Sequence, residues 1–286
     1  MSDLLYMDYI KMYARSEQNI DSLIHTTRIS SNDIVLSFRL EKSDGNNDKL
    51  EKTELLFFPS KSSPTIDAPI TVEGSGMTPS GSAKNLGMTL DDQLNFSRHI
   101  AAVTQSCRFS LFNMRRICPF LMQQATLLLV QALVISCLNY CNTLLAGLQA
   151  CAIRPLQLVQ NAAARLLFNL PKHSHVTPLL TAIHWLLVAA HIQFKTLVLA
   201  YQATKGYTPS HLQSLITPYT PARALQSTTS DQLAVPSLWE PGSRSSQPRL
   251  FSAIVPRWWN DLPQSVRTVE SLAIFRRKLK THLFRT

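Results

Sequence analysis

The first sixty residues alternate between short apolar runs and polar breaks. Ile34 to Leu40 alternates in part, as a half-buried strand does, and Glu54 to Phe58 reads as a second strand beyond the turn-forming Asp44-Gly-Asn-Asn-Asp48. Asp3 to Tyr13 suits a hairpin, and Glu17 to Ser30 a helix with Ile20, Leu23, Ile24 and Thr27 on one side. Over residues 59–82 the pattern stops. Sixteen of these twenty-four are Pro, Gly, Ser or Thr, which predicts a flexible connector.

Helical spacing takes over afterwards. Lys84 to Leu90 suits a short strand, and Phe96 to Ile117 a helix with Ile100, Val103, Cys107, Leu111 and Met114 along one face, stopped by Pro119. Gln123 to Leu148 predicts one long buried helix. Its middle, Ala125 to Cys141, is nearly all apolar, but Gln131, Asn139 and Asn142 interrupt it short of the ~20 residues that a bilayer span needs. Ile153 to Leu167 and Pro178 to Lys205 supply two more helices, the second with proline in its first turn and Gly206 as its stop. Pro218 to Arg249 has no helical period and predicts a loop-rich stretch with one strand near Leu233 to Val235, while Phe251 to Trp259 suits a strand or short turn. Glu270 to Phe284 is amphipathic, with Leu272, Phe275, Leu279 and Leu283 on one face and Arg276, Arg277, Lys278 and Lys280 elsewhere. The expected fold is mostly α, a helical body behind a small, incomplete α+β segment. Its expected divisions are residues 1–58, a linker over 59–82, a helical region over 83–216 and a C-terminal extension over 217–286.

With 286 residues and 45% apolar side chains, the chain can fill a sizeable core in one or two domains. Asp3, Asp8 and Lys11 interrupt the start, so no cleavable signal stretch is read there. Five cysteines, an odd number, fit free thiols in a reducing compartment. The expectation is an intracellular protein, nuclear or cytoplasmic, neither secreted nor membrane-spanning; the sequon Asn95-Phe96-Ser97 then carries no meaning. Charge is unevenly placed. Residues 1–60 hold 7 basic and 10 acidic side chains, while the last 43 hold 9 basic and 2 acidic within an overall charge of +10. Such a field attracts polyanions, nucleic acid before acidic membrane surfaces.

Most candidate chemistry has a plain alternative. Asp91-Asp92 follows a short strand and precedes a helix, which fits turn formation and capping better than metal binding. Cys137-x3-Cys141 and Cys151 lack the paired spacing of a zinc site and read as buried free cysteines. His184 and His191 stand seven apart on one expected helix and read as packing or polar-edge residues; His173 and His175 fall in a connector. There is no Gly-rich phosphate loop and no Gly-x-Ser-x-Gly elbow. Trp258 and Trp259 offer rings for stacking on bases but sit in a core-like context. The residues with the clearest binding chemistry are Arg276, Arg277, Lys278 and Lys280, which could neutralise phosphates.

Several stretches carry a more specific signal. Tyr6-Met7-Asp8-Tyr9 differs by one residue from a Tyr-x-Asp-Asp box. Further along stand Lys52-Thr-Glu-Leu-Leu-Phe-Phe-Pro59, Asn85-Leu-Gly-Met-Thr-Leu-Asp-Asp-Gln-Leu94, Leu138-Asn-Tyr-Cys-Asn142 and Leu156-Gln-Leu-Val-Gln-Asn-Ala-Ala-Ala-Arg-Leu166. Val176-Thr-Pro-Leu-Leu180 leads to His184-Trp185, and Pro218-Tyr-Thr-Pro-Ala-Arg223, Trp258-Trp-Asn-Asp-Leu-Pro263 and Phe275-Arg-Arg-Lys-Leu-Lys-Thr-His-Leu-Phe284 follow.

From Lys52 onward these resemble, in order, the C-terminal part of vertebrate, especially fish, LINE-type (non-LTR) retrotransposon reverse transcriptases. Residues 3–42 resemble the catalytic-box segment of a related element, with a chimaeric seam between Ser43 and Lys52. The resemblance implies a degenerate palm remnant over 1–58 and a thumb-like helical region over 83–216. It also implies an ancestral Mg2+ dependence and RNA or DNA as partners. Two-metal phosphoryl transfer needs clustered carboxylates. Tyr9 stands where the second aspartate of the box belongs, leaving Asp8 as at most a residual ligand, and no upstream palm carboxylate precedes it. The expected catalytic and metal residues are therefore none intact, and no cofactor is expected. The family also has proline after His-Trp-Leu, where this chain has Leu187, a change that would let the helix run on. Two alternatives remain: a domesticated protein-interaction module with an unidentified protein partner, and a polymerase subunit whose palm comes from another chain.

Overall fold

The computed structural model describes the backbone of Ile10–Met12, Ile34–Arg39, Thr53–Phe58, Ile70–Val72 and Ser75–Met77, and then residues 80–220, 231–236 and 250–285. The chain divides into two compact units, Met1–His99 and Ile100–Thr286. Among the described residues it is mostly helical. The expected helix over Glu17 to Ser30 and the turn at Asp44–Asp48 lie outside them.

The first unit carries the strands. β1 (Ile10–Met12), β2 (Ile34–Arg39) and β3 (Thr53–Phe58) form an antiparallel sheet in that order, with Ile10 opposite Phe38 and Leu36 opposite Leu56. Both strands read from the alternating pattern are present. The stretch expected as a connector contains a further pair, β4 (Ile70–Val72) and β5 (Ser75–Met77), antiparallel in a register that leaves only Glu73 and Gly74 between them. Three-residue strands of Ile-Thr-Val and Ser-Gly-Met carry too little apolar periodicity to stand out from their Pro- and Ser-rich surroundings.

Lys84 to Leu90, expected as one strand, is a hairpin instead. β6 (Ser82–Asn85) pairs with β7 (Met88–Asp91), and the two-residue loop Leu86-Gly87 has φ of +44° and +79°. Positive φ at both loop positions is the geometry whose twist matches antiparallel strands, and Gly87 adopts it without a Cβ clash. Asp91, 6% exposed, then organises the path into the first helix. Its carboxylate accepts the N–H of Asn95 at 2.8 Å and of Phe96 at 2.6 Å, and Asn95 Oδ1 accepts the N–H of Ser97 at 2.9 Å. This is a turn-building and capping role.

The unit boundary falls within α1 (Ser97–Ile117), whose buried stripe is Ile100, Thr104, Cys107, Leu111 and Met114. Val103, expected on that face, is half-buried. The long helix expected to reach Leu148 stops at Asn139. It consists of α2 (Gln123–Val130), a π-helical turn over Gln131–Ile135 and α3 (Ser136–Asn139), and Cys141 at φ +48° ends it ahead of a 3-10 turn, Asn142–Leu145. Thr126, Val130, Val134 and Leu138 are buried, every fourth residue. The wider π turn offsets the drift that such a stripe suffers on a pure α-helix. The helix is not buried all round as expected: Leu128 is 60% and Leu133 47% exposed.

α4 (Ala150–Leu167) buries Ile153, Leu156, Val159, Gln160, Ala163 and Leu167, the helical spacing of a core-facing side. The helix expected over Pro178 to Lys205 is two, α5 (Thr177–Ala182) and α6 (Val188–Thr204). His184 at φ +54° breaks them, and Leu187 begins α6 in an extended conformation, φ −55° and ψ 150°. Leucine at 187 does not let the helix continue, contrary to expectation: it takes backbone angles that proline also favours.

After α7 (Ser210–Gln213), Pro218 and Leu233 pair as a lone antiparallel bridge. Phe251 to Trp259, expected as strand or turn, lies in a helix, α8 (Phe251–Asn260), with Ala253, Ile254, Val255, Pro256 and Trp259 buried. Burial of that face outweighs the missing N–H of Pro256 and the β-preferring residues around it. α9 (Gln264–Arg267) and α10 (Leu272–Leu283) complete the unit. No helix among the described residues is long and apolar enough to cross a membrane.

Candidate nucleic-acid interface

α10 is held by its apolar side. Phe275 and Leu279 are fully buried and Leu283 nearly so, while Leu272, expected on that face, is only half-buried. The Phe275 ring stacks on Tyr201 of α6 with centroids 4.4 Å apart and planes at 22°, and on Trp259 of α8 at 5.7 Å and 28°. Tyr201 donates its hydroxyl to the carbonyl of Val269 at 2.9 Å, which ties α6 to the chain leading into α10. Trp259 donates Nε1–H to the Asp231 carbonyl at 2.7 Å and is 2% exposed, so it packs and cannot stack on a base. Trp258 is half-buried.

The opposite side of α10 carries the charge. Arg276, Arg277, Lys278 and Lys280 are all exposed, and α10 contains no acidic residue. They do not form one line. At about 100° per residue, Arg276 and Lys280 fall within roughly 40° of each other and Arg277 about 100° from Arg276, whereas Lys278 lies on the far flank. Lys278 donates to the Ser265 carbonyl at 2.8 Å, anchoring α10 to α9. The face open to phosphates is therefore Arg276, Arg277 and Lys280. Nearby in sequence, Arg267 is a buried residue whose Nε and Nη1 have no hydrogen-bond partner among the described residues.

Lys280 also borders a cavity of about 250 Å³ within the helical unit. Its ammonium stands 5.7 Å from the Phe284 ring centroid, and that ring meets His184 edge-on at 6.5 Å. His184 and His191, read separately as packing residues, both line this cavity, with Trp185 and Phe194 as its aromatic wall. His191 Nδ1 accepts from Asn142 Nδ2 at 3.1 Å. Burial first, then Lys195 and Lys280, pushes its pKa down to about 4, so the ring is neutral at pH 7. Asn142 and Gln160 were not legible as site residues, because nothing in their spacing brings them toward His191, whereas Lys195, one turn along the same helix, was signalled by its i, i+4 spacing.

The remaining candidates separate. His173 and His175 are exposed. Of the five free cysteines only Cys107 is buried, while Cys137 and Cys151 are exposed and Cys141 has left the helix, which corrects the expectation of buried thiols. Burial first, then the neighbouring Cys137 thiol, pushes Cys107 up to about 12. Among the described residues no group of three or more His, Cys, Asp or Glu could hold a metal ion. The box Tyr6, Met7, Asp8 and Tyr9 lies outside the described residues. Comparison of the chain with protein families, curated proteins and solved structures finds no match.

Proposed function

We propose that this chain derives from a LINE-type reverse transcriptase, is catalytically inactive, and binds RNA or DNA without sequence preference. The ancestry rests on the ordered motifs from Lys52 to Phe284. The observation that carries the binding is the two-sidedness of α10: Phe275, Leu279 and Leu283 fix it to α6 and α8, and Arg276, Arg277 and Lys280 face outward. A rigid helix with clustered cations neutralises phosphates without reading bases. The test is the affinity for unrelated single-stranded RNAs of wild type and of Arg276→Gln/Arg277→Gln/Lys280→Gln. Glutamine keeps helix propensity while removing charge. Affinity should fall at least about tenfold and equally for every sequence. Unchanged affinity in a variant with native circular dichroism contradicts the reading.

A second reading has its own observation. Phe120 is 87% exposed, Met122 81%, Phe109 67% and Phe112 63%, which suits a domesticated module that docks a protein partner. A salt-insensitive complex with a protein, and no binding of RNA, would favour it.

A further inference from the structure

The cavity beside Lys280 has a chemistry of its own. Its walls are aromatic and apolar, including Trp185, Phe194 and Leu138, and no acidic residue lines it. Its polar side chains include Lys280, His184, His191 and Gln160, and Asn139, which offers both a donor and an acceptor. Lys280 supplies a cation at one side. With the Asn142 amide nitrogen toward the ring, His191 Nδ1 accepts and the ring proton sits on Nε2, while Asn142 Oδ1 stays buried without a partner among the described residues. Gln160 is already committed, its Nε2 donating to the Leu186 carbonyl at 2.8 Å and its Oε1 accepting from Gln157. His184 is held at φ +54°, an uncommon conformation for a side-chain-bearing residue, and this turn places His184 and Trp185 at the cavity. A cavity lined by aromatic and apolar side chains, with a donor and a cation among them, complements a flat ring that carries acceptors and an attached anion. Its volume of about 250 Å³ approaches the roughly 300–1,000 Å³ of small-molecule sites.

We infer that this cavity takes one nucleotide unit of a bound strand, with the base against Trp185 and Phe194, its acceptors toward the His191 donor, and the phosphate on Lys280. The inference rests on the reading of α10 as a nucleic-acid interface, and it gives that interface a pocket in addition to its open phosphate-binding face. Base-on-aromatic contact is tolerant of sequence because every base has a π face, so the pocket does not require specificity.

The test is a titration of the full chain with adenosine monophosphate, adenosine and inorganic phosphate, each alone, following the imidazole signals of His184 and His191 by NMR. Strand affinity is measured on the same preparation. The monophosphate should shift both imidazoles saturably, and adenosine or phosphate should bind at least about tenfold more weakly, since each lacks half of the contacts. Lys280→Gln, at an exposed position, should weaken the monophosphate about tenfold. Trp185→Leu should weaken the monophosphate and leave phosphate unchanged. Unmoved imidazoles overturn the inference, and so does phosphate binding as tightly as the nucleotide, which would make this a plain anion site. If strands still bind in either of those cases, the interface reading stands without the pocket. Saturable nucleotide binding with no strand affinity would leave a pocket for free mononucleotide and overturn both the interface reading and the placement of a strand in the pocket.

Discussion

Asn142 Nδ2 donates to His191 Nδ1 across 3.1 Å, tying the 3-10 turn after α3 to the first turn of α6. The bond fixes the tautomer, and the surroundings keep the ring uncharged. Lys195 of α6 and Lys280 of α10 both disfavour a second positive charge there, after burial itself. The consequence is an acid-sensitive joint. The folded pKa of about 4 lies below the ordinary 6.5, so the stabilisation is complete above pH 6.5 and is lost as pH falls toward 4. At ~1.36 kcal/mol per unit, discounted for partial exposure, the loss is about 2 kcal/mol. Urea unfolding at pH 7 and pH 4.5 should show it, and His191→Gln should flatten it. His99, also lowered by burial, adds a loss in the same direction that the variant retains. Equal pH dependence in both proteins would contradict the assignment to His191.

The stack of Tyr201 on Phe275 sets the stability of the terminal helix. Phe275→Ala removes a fully buried ring that two aromatic neighbours contact, and should cost about 3–5 kcal/mol. Tyr201→Phe keeps the ring but strands the Val269 and Glu270 carbonyls, which should cost about 1–2 kcal/mol. Chemical denaturation ranks the two. A loss below about 1 kcal/mol for Phe275→Ala would mean that α10 is not docked as described.

Leu187 stands at φ −55° and ψ 150°, its side chain is 53% exposed, and no hydrogen bond from its N–H is found among the described residues. Proline fits these angles and needs no donor. Leu187→Pro should therefore raise stability by about 0.4–1 kcal/mol, chiefly by restricting the unfolded chain. A loss of about 3 kcal/mol, the usual effect of proline inside a helix, would show that α5 and α6 are continuous.

Elements with a one-sided apolar stripe were legible in the sequence. Ile100, Cys107, Leu111 and Met114 are buried on α1, and Phe275, Leu279 and Leu283 on α10, as their spacing implied. Strands β2 and β3 were legible from alternation. What escaped were changes of direction made by residues that seldom make them. Leu86 opens a two-residue turn at positive φ, Cys141 ends a helix there, and His184 divides one. The π turn at Gln131–Ile135 lies in a run so uniformly apolar that no face can be read from it. α8 was obscured by Pro256 and by β-preferring neighbours, and only its burial against Phe275 decides the matter. Of the site, the four cations were legible as a group. Their division into an open face and the anchoring Lys278 depends on Ser265, which no sequence pattern links to it.

Catalysis offers a separate prediction. On the proposed reading of residues 6–9 as a degenerate catalytic box, Tyr9 removes one of the clustered carboxylates that two-metal phosphoryl transfer needs, and primer extension with magnesium or manganese should stay at background. Tyr9→Asp should not change that, because an adjacent pair of carboxylates alone does not complete the oxygen-ligand sets of two metal ions. Robust extension by either protein contradicts the inactive reading.

The most direct test of the central claim is the salt dependence of RNA binding. Each phosphate neutralised on a single strand contributes about −0.7 to the slope of log affinity against log salt, so Arg276, Arg277 and Lys280 together account for about −2. Replacing the three with glutamine should flatten the slope by that amount for every sequence tried. A slope unchanged by the triple replacement, in a protein that retains its helical circular dichroism, would show that these cations only face water.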